Sequence, residues 1–150
     1  MLSKTVKIYI FIFGLLAVAA SVLIYERVKA PAIVPAELLL AERPDLIYAD
    51  FPRINSEVKS PVNISGKARG QWYFEASFPV ILKDGKGNIL AQKPAEAQGE
   101  WMTMDFVPFR LVLEFTKPAT ATGTLILKKD NPSDRRDLDD ELDIPVRFAE

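Results

Sequence analysis

The sequence contains neither cysteine nor histidine among its 150 residues. Without cysteine the chain has no disulfide, no thiolate nucleophile, no cysteine-ligated zinc and no lipid-modified cysteine. Without histidine it lacks the commonest general base and the commonest metal ligand of proteins. Both absences argue against an enzyme, so the sequence predicts no catalytic residue, no metal site and no cofactor.

An excess of charge of one sign is also missing. The chain has 19 Lys and Arg residues against 20 Asp and Glu residues, a formal net charge of -1. Such a balance creates no basic field that would attract a polyanion. We therefore expect no nucleic-acid partner.

A long apolar run occupies the amino terminus, where residues 8–25 carry no charge. At about 1.5 Å of rise per residue, this run nearly crosses a hydrocarbon layer of ~30 Å. Lys4 and Lys7 precede it, and the positive-inside rule then places the amino terminus in the cytoplasm. Residues 1–29 are thus predicted to be a signal anchor with one transmembrane helix, which makes the membrane a partner.

Two other interpretations of this run remain open. Val18, Ala19 and Ala20 offer a cleavage site for a signal peptide, although the apolar run continues past them and favours an uncleaved anchor. A buried soluble helix is the third interpretation, but such helices rarely lack a polar face. The first two interpretations agree that the rest of the chain lies outside the cytoplasm.

Residues 30–52 contain prolines at positions 31, 35, 44 and 52, which disfavour long regular elements. We interpret this segment as a linker that holds a domain, residues 53–150, away from the membrane. Ile47 and Tyr48 are too apolar for a fully solvated linker, so part of the segment is expected to dock on the domain or at the lipid interface.

The domain shows two-residue periodicity, which is typical of β-strands with one buried face. From residue 72 to 82 every even position is apolar, whereas Glu75 lies on the other face, and we predict one long strand there. Similar alternation marks 62–68, 107–115, 123–129 and 142–148, with a weaker strand at 54–58 and a hairpin loop at 84–88. Seven or eight strands and no convincing helix predict an all-β antiparallel sandwich, with a barrel as the alternative.

Four stretches also carry a family resemblance, and they read SPVNISGKARG (60–70), FEASFPVILKDGKGNILA (74–91), GEWMTMDFVPFRLVLEF (99–115) and IPVRF (144–148). In this order they resemble the opening strand, the long aromatic strand with its hairpin, the Trp…Pro-Phe segment and the last strand of the immunoglobulin-like domain of bacterial spore germination proteins. The resemblance covers residues 54–148. It implies an immunoglobulin-like β-sandwich without known catalytic residues.

Five residues are candidates for ligand binding: Trp101, Trp72, Arg69, Glu75 and Arg110. The two tryptophans could form a platform for a sugar or peptide, although Trp72 shares the apolar face of its strand and core packing is favoured for it. Arg69, Glu75 and Arg110 fall on the wetter strand faces. Cross-strand ion pairs are the favoured account of these charges, and a ligand-binding sheet face is the alternative.

Carboxylates supply the remaining chemical hypotheses. The acidic stretch 130–141 lacks the residues of a helix-loop-helix calcium site, but Asp137, Asp139, Asp140 and Glu141 could form an irregular one. The favoured interpretation is a solvated loop whose acids are partly balanced by arginines. A glycoside-cleaving pair would have to come from Glu75, Glu100, Asp105 and Glu114, and their spacing singles out no pair.

The sequence as a whole indicates a membrane-anchored, extracytoplasmic, non-catalytic module with a binding, adhesion or structural role at the bacterial cell envelope. Its partner would be an envelope protein or a wall polymer. The alternatives are a surface hydrolase that uses carboxylates and a passive spacer or accessory subunit.

Overall fold

A computed structural model describes residues 41–43, 45–133 and 135–150. This part of the chain consists of β-strands, two short 3-10 helices (Gly70–Trp72 and Arg136–Leu138) and the turns between them, which confirms the all-β prediction. The strands are β1 (Ala41–Arg43), β2 (Ile47–Phe51), β3 (Ser56–Val58), β4 (Val62–Arg69), β5 (Ser77–Asp84), β6 (Ile89–Ala97), β7 (Phe106–Leu113), β8 (Thr122–Lys128) and β9 (Glu141–Phe148).

The strands of the described residues form one nine-stranded sheet in the order β1-β2-β4-β7-β6-β5-β8-β9-β3. The predicted domain, residues 53–150, contains seven of these strands, in agreement with the expected seven or eight, and β1 and β2 come from the expected linker. The prediction that all strands are antiparallel is wrong, because β3 runs parallel to β9, with Ser56 opposite Val146. Every other neighbouring pair in this sheet is antiparallel. The parallel pair arises because β3 lies on the far side of β9 and joins the sheet as its edge strand.

The sheet curls so that its two halves face one another, and β6 joins them. β6 pairs with β5 along most of its length but with β7 only where Glu96 and Ala97 face Arg110 and Phe109. Phe78 of β5 and Phe109 of β7 then meet across the interior, with ring centroids 5.0 Å apart and planes at 82°. This edge-to-face contact packs together two strands that are not neighbours in the sheet. Because β6 pairs with both of them, the structure has one continuous sheet instead of the two separate sheets expected.

Alternation along four strands places the predicted apolar positions in the core. β4, β7 and β9 each bury every second residue, and β8 buries Leu125 and Leu127 together with Ile126. Gly66 is also buried on β4, but this inward position has no side chain, because a Cβ there would overlap the Tyr48 carbonyl and the Phe109 ring. Each fully buried aliphatic or aromatic side chain stabilises the fold by about 1.5–3 kcal/mol relative to an exposed one.

The single strand predicted over residues 72–82 is wrong in its first half. The chain makes the 3-10 helix Gly70–Trp72, and a two-residue turn then brings it back on itself: the amides of Phe74 and Ser77 donate to each other's carbonyls at 3.0 and 3.1 Å. Glu75 and Ala76 hold φ angles of 48° and 61° in this turn. Neither residue type signals such a turn, for which Asn-Gly or Asp-Gly is usual.

This turn changes which aromatic side chains are buried. Phe74 was expected in the core and is 40% exposed, whereas Tyr73 was expected on the wetter face and is 4% exposed. The Tyr73 hydroxyl donates to the Val107 carbonyl at 2.8 Å. Burial raises the pKa of Tyr73 well above its ordinary value, so this hydroxyl remains a donor throughout the physiological range.

Strands β1 and β2 (residues 41–43 and 47–51) belong to the sheet, although they fall within the expected linker. Ile47 and Ala49 of β2 are fully buried, which agrees with the expectation that the apolar part of the segment docks on the domain. The short strand β1 pairs with β2, and Arg43 at its end forms an ion pair with Asp140 at 2.9 Å. This partly exposed pair links the first described strand to the turn before β9.

The predicted membrane anchor, residues 1–29, lies outside the described residues. Within the ranges that the structure describes, no helix is long and apolar enough to cross a membrane.

The predicted hairpin between β5 and β6 is confirmed, and the Asp84 carboxylate accepts hydrogen bonds from the amides of Lys86 and Asn88 at 2.8 and 2.9 Å.

The burial of the two phenylalanines predicts different costs of truncation. Phe78→Ala should lower the free energy of unfolding by about 3–5 kcal/mol, because it leaves a cavity between the two halves of the sheet. Phe74→Ala, at an exposed position of the turn, should change it by less than about 0.5 kcal/mol. Urea denaturation followed by circular dichroism measures both. Similarly large losses of unfolding free energy in the two variants would support the single long strand and contradict the turn.

The turn at Glu75 and Ala76 predicts a stabilising double substitution. Glu75→Asn with Ala76→Gly should raise the free energy of unfolding by about 1 kcal/mol, because these residues adopt positive φ at lower cost. Ala91→Gly, in the interior of β6, is the control and should lower it by roughly 0.5–1 kcal/mol. A loss of stability in the double variant would mean that the turn is misplaced.

Candidate functional site

Two connections meet at one end of the domain, which we call the loop end: residues 70–76 between β4 and β5, and residues 98–105 between β6 and β7. They are neighbours because β4 ends where β7 begins, with Arg69 opposite Phe106. The turn of the first connection also touches the start of the second, since the Ala97 amide donates to the Ala76 carbonyl at 2.8 Å. Loops on a rigid sheet are a common location for binding residues.

The loop end exposes apolar side chains. Met102 and Met104 are each 75% exposed and Phe74 is 40% exposed, while Trp101 is half-buried. Methionine is among the residue types most often found in protein interiors, so two exposed methionines in one loop require an explanation other than folding. Single exposed apolar residues are ordinary, but a cluster at one end of a domain indicates a contact surface.

The backbone beneath these side chains is held in place. The Thr103 amide donates to the Trp101 carbonyl at 2.8 Å, and the Met102 amide donates to the Glu100 carboxylate at 3.0 Å. Gly70 lies directly under the loop, where a Cβ would overlap the carbonyl oxygens of Trp101 and Thr103. Glycine at position 70 therefore lets the loop 98–105 pack against the end of β4.

Arg69 ties the same loop to the sheet. Its guanidinium lies over the Phe106 ring, with Cζ 4.1 Å from the centroid, and its Nη1 donates to the Met104 carbonyl at 2.9 Å. Its Nε donates to the Asp45 carbonyl at 3.3 Å. The Tyr48 ring packs against the Phe106 ring, with the ring centroids 5.5 Å apart. Arg69 and these two aromatic rings therefore support the loop end.

An open groove of about 440 Å³ runs between the two connections. Trp101, Met102 and Met104 form one wall, and the other includes Gln71 and Tyr73. The thioether and indole groups make the surface of this groove mainly apolar. Its shape suits a flat or extended apolar group rather than a buried small molecule.

The five sequence-predicted residues do not form one site. Arg69 and Trp101 come together at the loop end, and Glu75 is exposed on the turn of the 70–76 connection. Trp72 is fully buried, and its Nε1 has no hydrogen-bond partner among the described residues. The favoured interpretation of Trp72 as a core residue therefore agrees with its position, and its ring is closed to a surface ligand.

Arg110 lies on the outer face of β7. It lines a separate groove of about 520 Å³, where β6 diverges from β7, together with Asn63, Glu96 and Gln98. Glu96 faces Arg110 across the two strands. The described residues nevertheless contain no ion pair that involves Arg69, Glu75 or Arg110, so the favoured cross-strand ion pairs do not form there.

Asp130 is a carboxylate whose environment the sequence did not reveal. Burial raises its pKa, and the nearby negative charge of Glu75 raises it further. Asp130 lines an open groove of about 350 Å³ together with Phe78, Pro79 and Lys93. Two carboxylates in proximity are a feature that a hydrolase would need, and this is the observation that bears on that alternative.

Within residues 130–133 and 135–141 of the acidic stretch, several acids contact nitrogen donors. Asp137 pairs with Arg135 and Asp139 with Arg136, and the hydrogen bond from the Asn131 side chain chiefly lowers the pKa of Asp139. Asp140 pairs with Arg43. Within the described ranges, no three carboxylates gather as a metal site would require.

Sequence reasoning missed the two methionines and Phe106. A signal for the methionines was present, because Met102 and Met104 directly follow Trp101 at a spacing of two residues. Their exposure was not readable, since it depends on how the loop 98–105 crosses Gly70. Phe106 was not chosen because its contact with Arg69 joins residues from different strands.

Comparisons with known proteins identify one family. The family model of the immunoglobulin-like domain of bacterial spore germination matches residues 47–135. This match includes both connections of the loop end and begins at β2. No curated protein and no solved structure matched the chain.

The contact between Gly70 and the loop predicts the effect of one methyl group. Gly70→Ala should displace residues 101–104 from the end of β4, because the new Cβ would overlap two carbonyl oxygens of the loop. The expected result is a red shift of the tryptophan emission that disappears when Trp101 is also replaced by Phe, which assigns it to Trp101 rather than Trp72. Amide exchange should become faster in residues 98–105, with the β9 amides unchanged. Gln71→Ala, at the exposed neighbouring position, is the control. An unchanged Trp101 spectrum in Gly70→Ala would contradict the placement of the loop.

Proposed function

The chain belongs to the family of immunoglobulin-like domains of bacterial spore germination, and from that premise we propose that it is a binding module of the cell envelope. In this proposal the module is non-catalytic, is held by an amino-terminal membrane anchor and works outside the cytoplasm. It binds its partner through the loop end. The family is not known to be catalytic.

The observation that supports this site is the pair of exposed methionines on a fixed backbone. Met102 and Met104 are 75% exposed, yet the loop that carries them is held by Gly70 and by the Arg69 hydrogen bond. A loop that is already ordered loses little conformational entropy on binding. Methionine adapts its shape to different apolar surfaces, which suits a contact surface.

The chemistry of the loop end favours a protein partner over a wall polymer. Trp and Arg are enriched at the centres of protein interfaces, and here Trp101 and Arg69 lie beside the two methionines. The expected partner presents an apolar segment to the groove. A carbohydrate would need more hydrogen-bonding side chains than the groove walls offer.

Location outside the cytoplasm rests on the sequence. The uncharged run of residues 8–25 is of a length that spans a bilayer, and Lys4 and Lys7 precede it. In this arrangement the strands from β1 onward follow the anchor after a short spacer. The loop end would then be available to other proteins of the envelope.

Two alternatives lead to different outcomes. A carboxylate-dependent hydrolase would use Asp130, whose pKa is raised, together with Glu75. A passive spacer would have no specific contact at the loop end. Binding is preferred because the exposed apolar cluster lies on the loop end.

A single engineered cysteine tests both location and contact, because the natural chain has none. Met104→Cys in the full-length chain should react with a membrane-impermeant maleimide in intact cells, whereas Ser3→Cys should react only after lysis. A photo-crosslinker attached at position 104 should then give a discrete adduct with an envelope protein. The adduct is identified by mass spectrometry.

Ile89→Cys is the matched control, because Ile89 is 58% exposed in the β5–β6 hairpin at the opposite end of β5. A partner bound at the loop end should crosslink from position 104 and not from 89. Equal crosslinking from both positions, or none from either, would support the passive spacer. Labelling of position 3 but not 104 in intact cells would reverse the proposed orientation.

A further inference from the structure

The chain has three methionines, and the two other than Met1 lie in the same loop. Met102 and Met104 are separated by one residue and are both 75% exposed. Thioether sulfur is a soft ligand that selects Cu(I) among the metals of proteins. Since the chain has no cysteine and no histidine, these thioethers are the softest metal-binding groups available to it.

The two methionines share one open groove with an aromatic ring. Met102, Met104 and Trp101 line one wall of the same open groove. The face of an indole attracts cations more strongly than the ring of Tyr or Phe does. A monovalent cation between the two sulfur atoms could therefore also contact the Trp101 ring.

The loop backbone is organised before any ion binds. The amides of residues 102, 103 and 105 each have an acceptor within the loop, at 3.0, 2.8 and 3.2 Å. Arg69 holds the Met104 carbonyl at 2.9 Å. Binding would therefore require rotation of two flexible side chains and no rearrangement of the main chain.

The charges around the loop are compatible with a single positive charge. Glu100 and Asp105 flank the two methionines in the sequence and are exposed. The guanidinium group of Arg69 carries the positive charge. It lies over the Phe106 ring and donates hydrogen bonds to backbone carbonyls. Two carboxylates against one guanidinium leave this loop with a net negative charge.

We propose that Met102, Met104 and Trp101 form a binding site for a soft monovalent cation of the Cu(I) or Ag(I) type. The two Sδ atoms are the ligands, and the indole face covers one side of the ion. Hard or borderline cations such as Ca²⁺ and Zn²⁺ should not bind there, because they prefer oxygen, imidazole or thiolate ligands. The site does not depend on the proposed protein partner, and its test uses none.

Silver ion is the probe, because it is not oxidised in air, needs no added reductant and shares the ligand preference of Cu(I). The full-length chain in detergent and a chloride-free buffer is titrated with silver nitrate. The ε-methyl NMR signals of the methionines and the tryptophan emission are followed. We expect the signals of Met102 and Met104 to shift together and saturate at one ion per chain, with partial quenching of Trp101.

Met1 is an internal control, since a lone thioether should bind silver more weakly than a pair does. Met102→Leu and Met104→Leu should each weaken binding at least about tenfold, because each variant removes one of two ligands. Trp101→Phe should abolish the quenching and retain the paired methyl shifts. Phe74→Leu changes an exposed residue at the same end of the domain but removes no thioether. This variant should bind silver as the natural chain does.

Copper completes the test in a separate titration without silver, because Ag(I) would oxidise Cu(I). Cu(I) kept under reducing conditions should shift the same two signals. The proposal fails if the signals of Met102 and Met104 shift with the same midpoint as Met1, which would indicate isolated thioethers. It also fails if zinc or calcium shifts them at the same concentrations. Either result leaves the proposed protein contact untouched, because that contact is measured by crosslinking.

Discussion

The contact between Phe78 and Phe109 holds the two halves of the sheet together. The first lies on β5 and the second on β7, with β6 between them, and the rings meet at 5.0 Å across the interior. Tyr73 extends the same cluster, 5.3 Å from Phe78. Aromatic pairs in this edge-to-face geometry contribute about 0.5–1.5 kcal/mol beyond their burial. The curl that they stabilise brings the ends of β4, β5, β6 and β7 to one place.

The loop end is a consequence of this packing. Residues 70–76 must reverse direction between β4 and β5, and they do so through a 3-10 helix and a turn with positive φ at Glu75 and Ala76. Residues 98–105 then cross Gly70 at a distance that no larger residue permits. Such backbone constraints occur often at functional sites. Here they hold Trp101 and the methionines outward on a fixed support.

The two proposals for the loop end use the same side chains in different ways. A protein partner would bury the methionine and indole surfaces, whereas a soft cation would use the sulfur lone pairs and the indole face. Both depend on the exposure of Met102 and Met104 and on the support from Arg69. The absence of cysteine and histidine gives the thioethers their importance in the second proposal, because no stronger soft ligand competes with them.

The sequence by itself determined the β-class of the domain, the inward residues of β4, β7 and β9, and the β5–β6 hairpin. Each of these follows from a local signal, which is either two-residue alternation or a turn composition. The sequence did not reveal the turn at Glu75 and Ala76, because neither residue type favours positive φ and the core around Tyr73 and Phe78 imposes it. The single curled sheet, the parallel β3–β9 pair and the meeting of Arg69 with Trp101 were decided by tertiary structure, because they join residues that are distant along the chain.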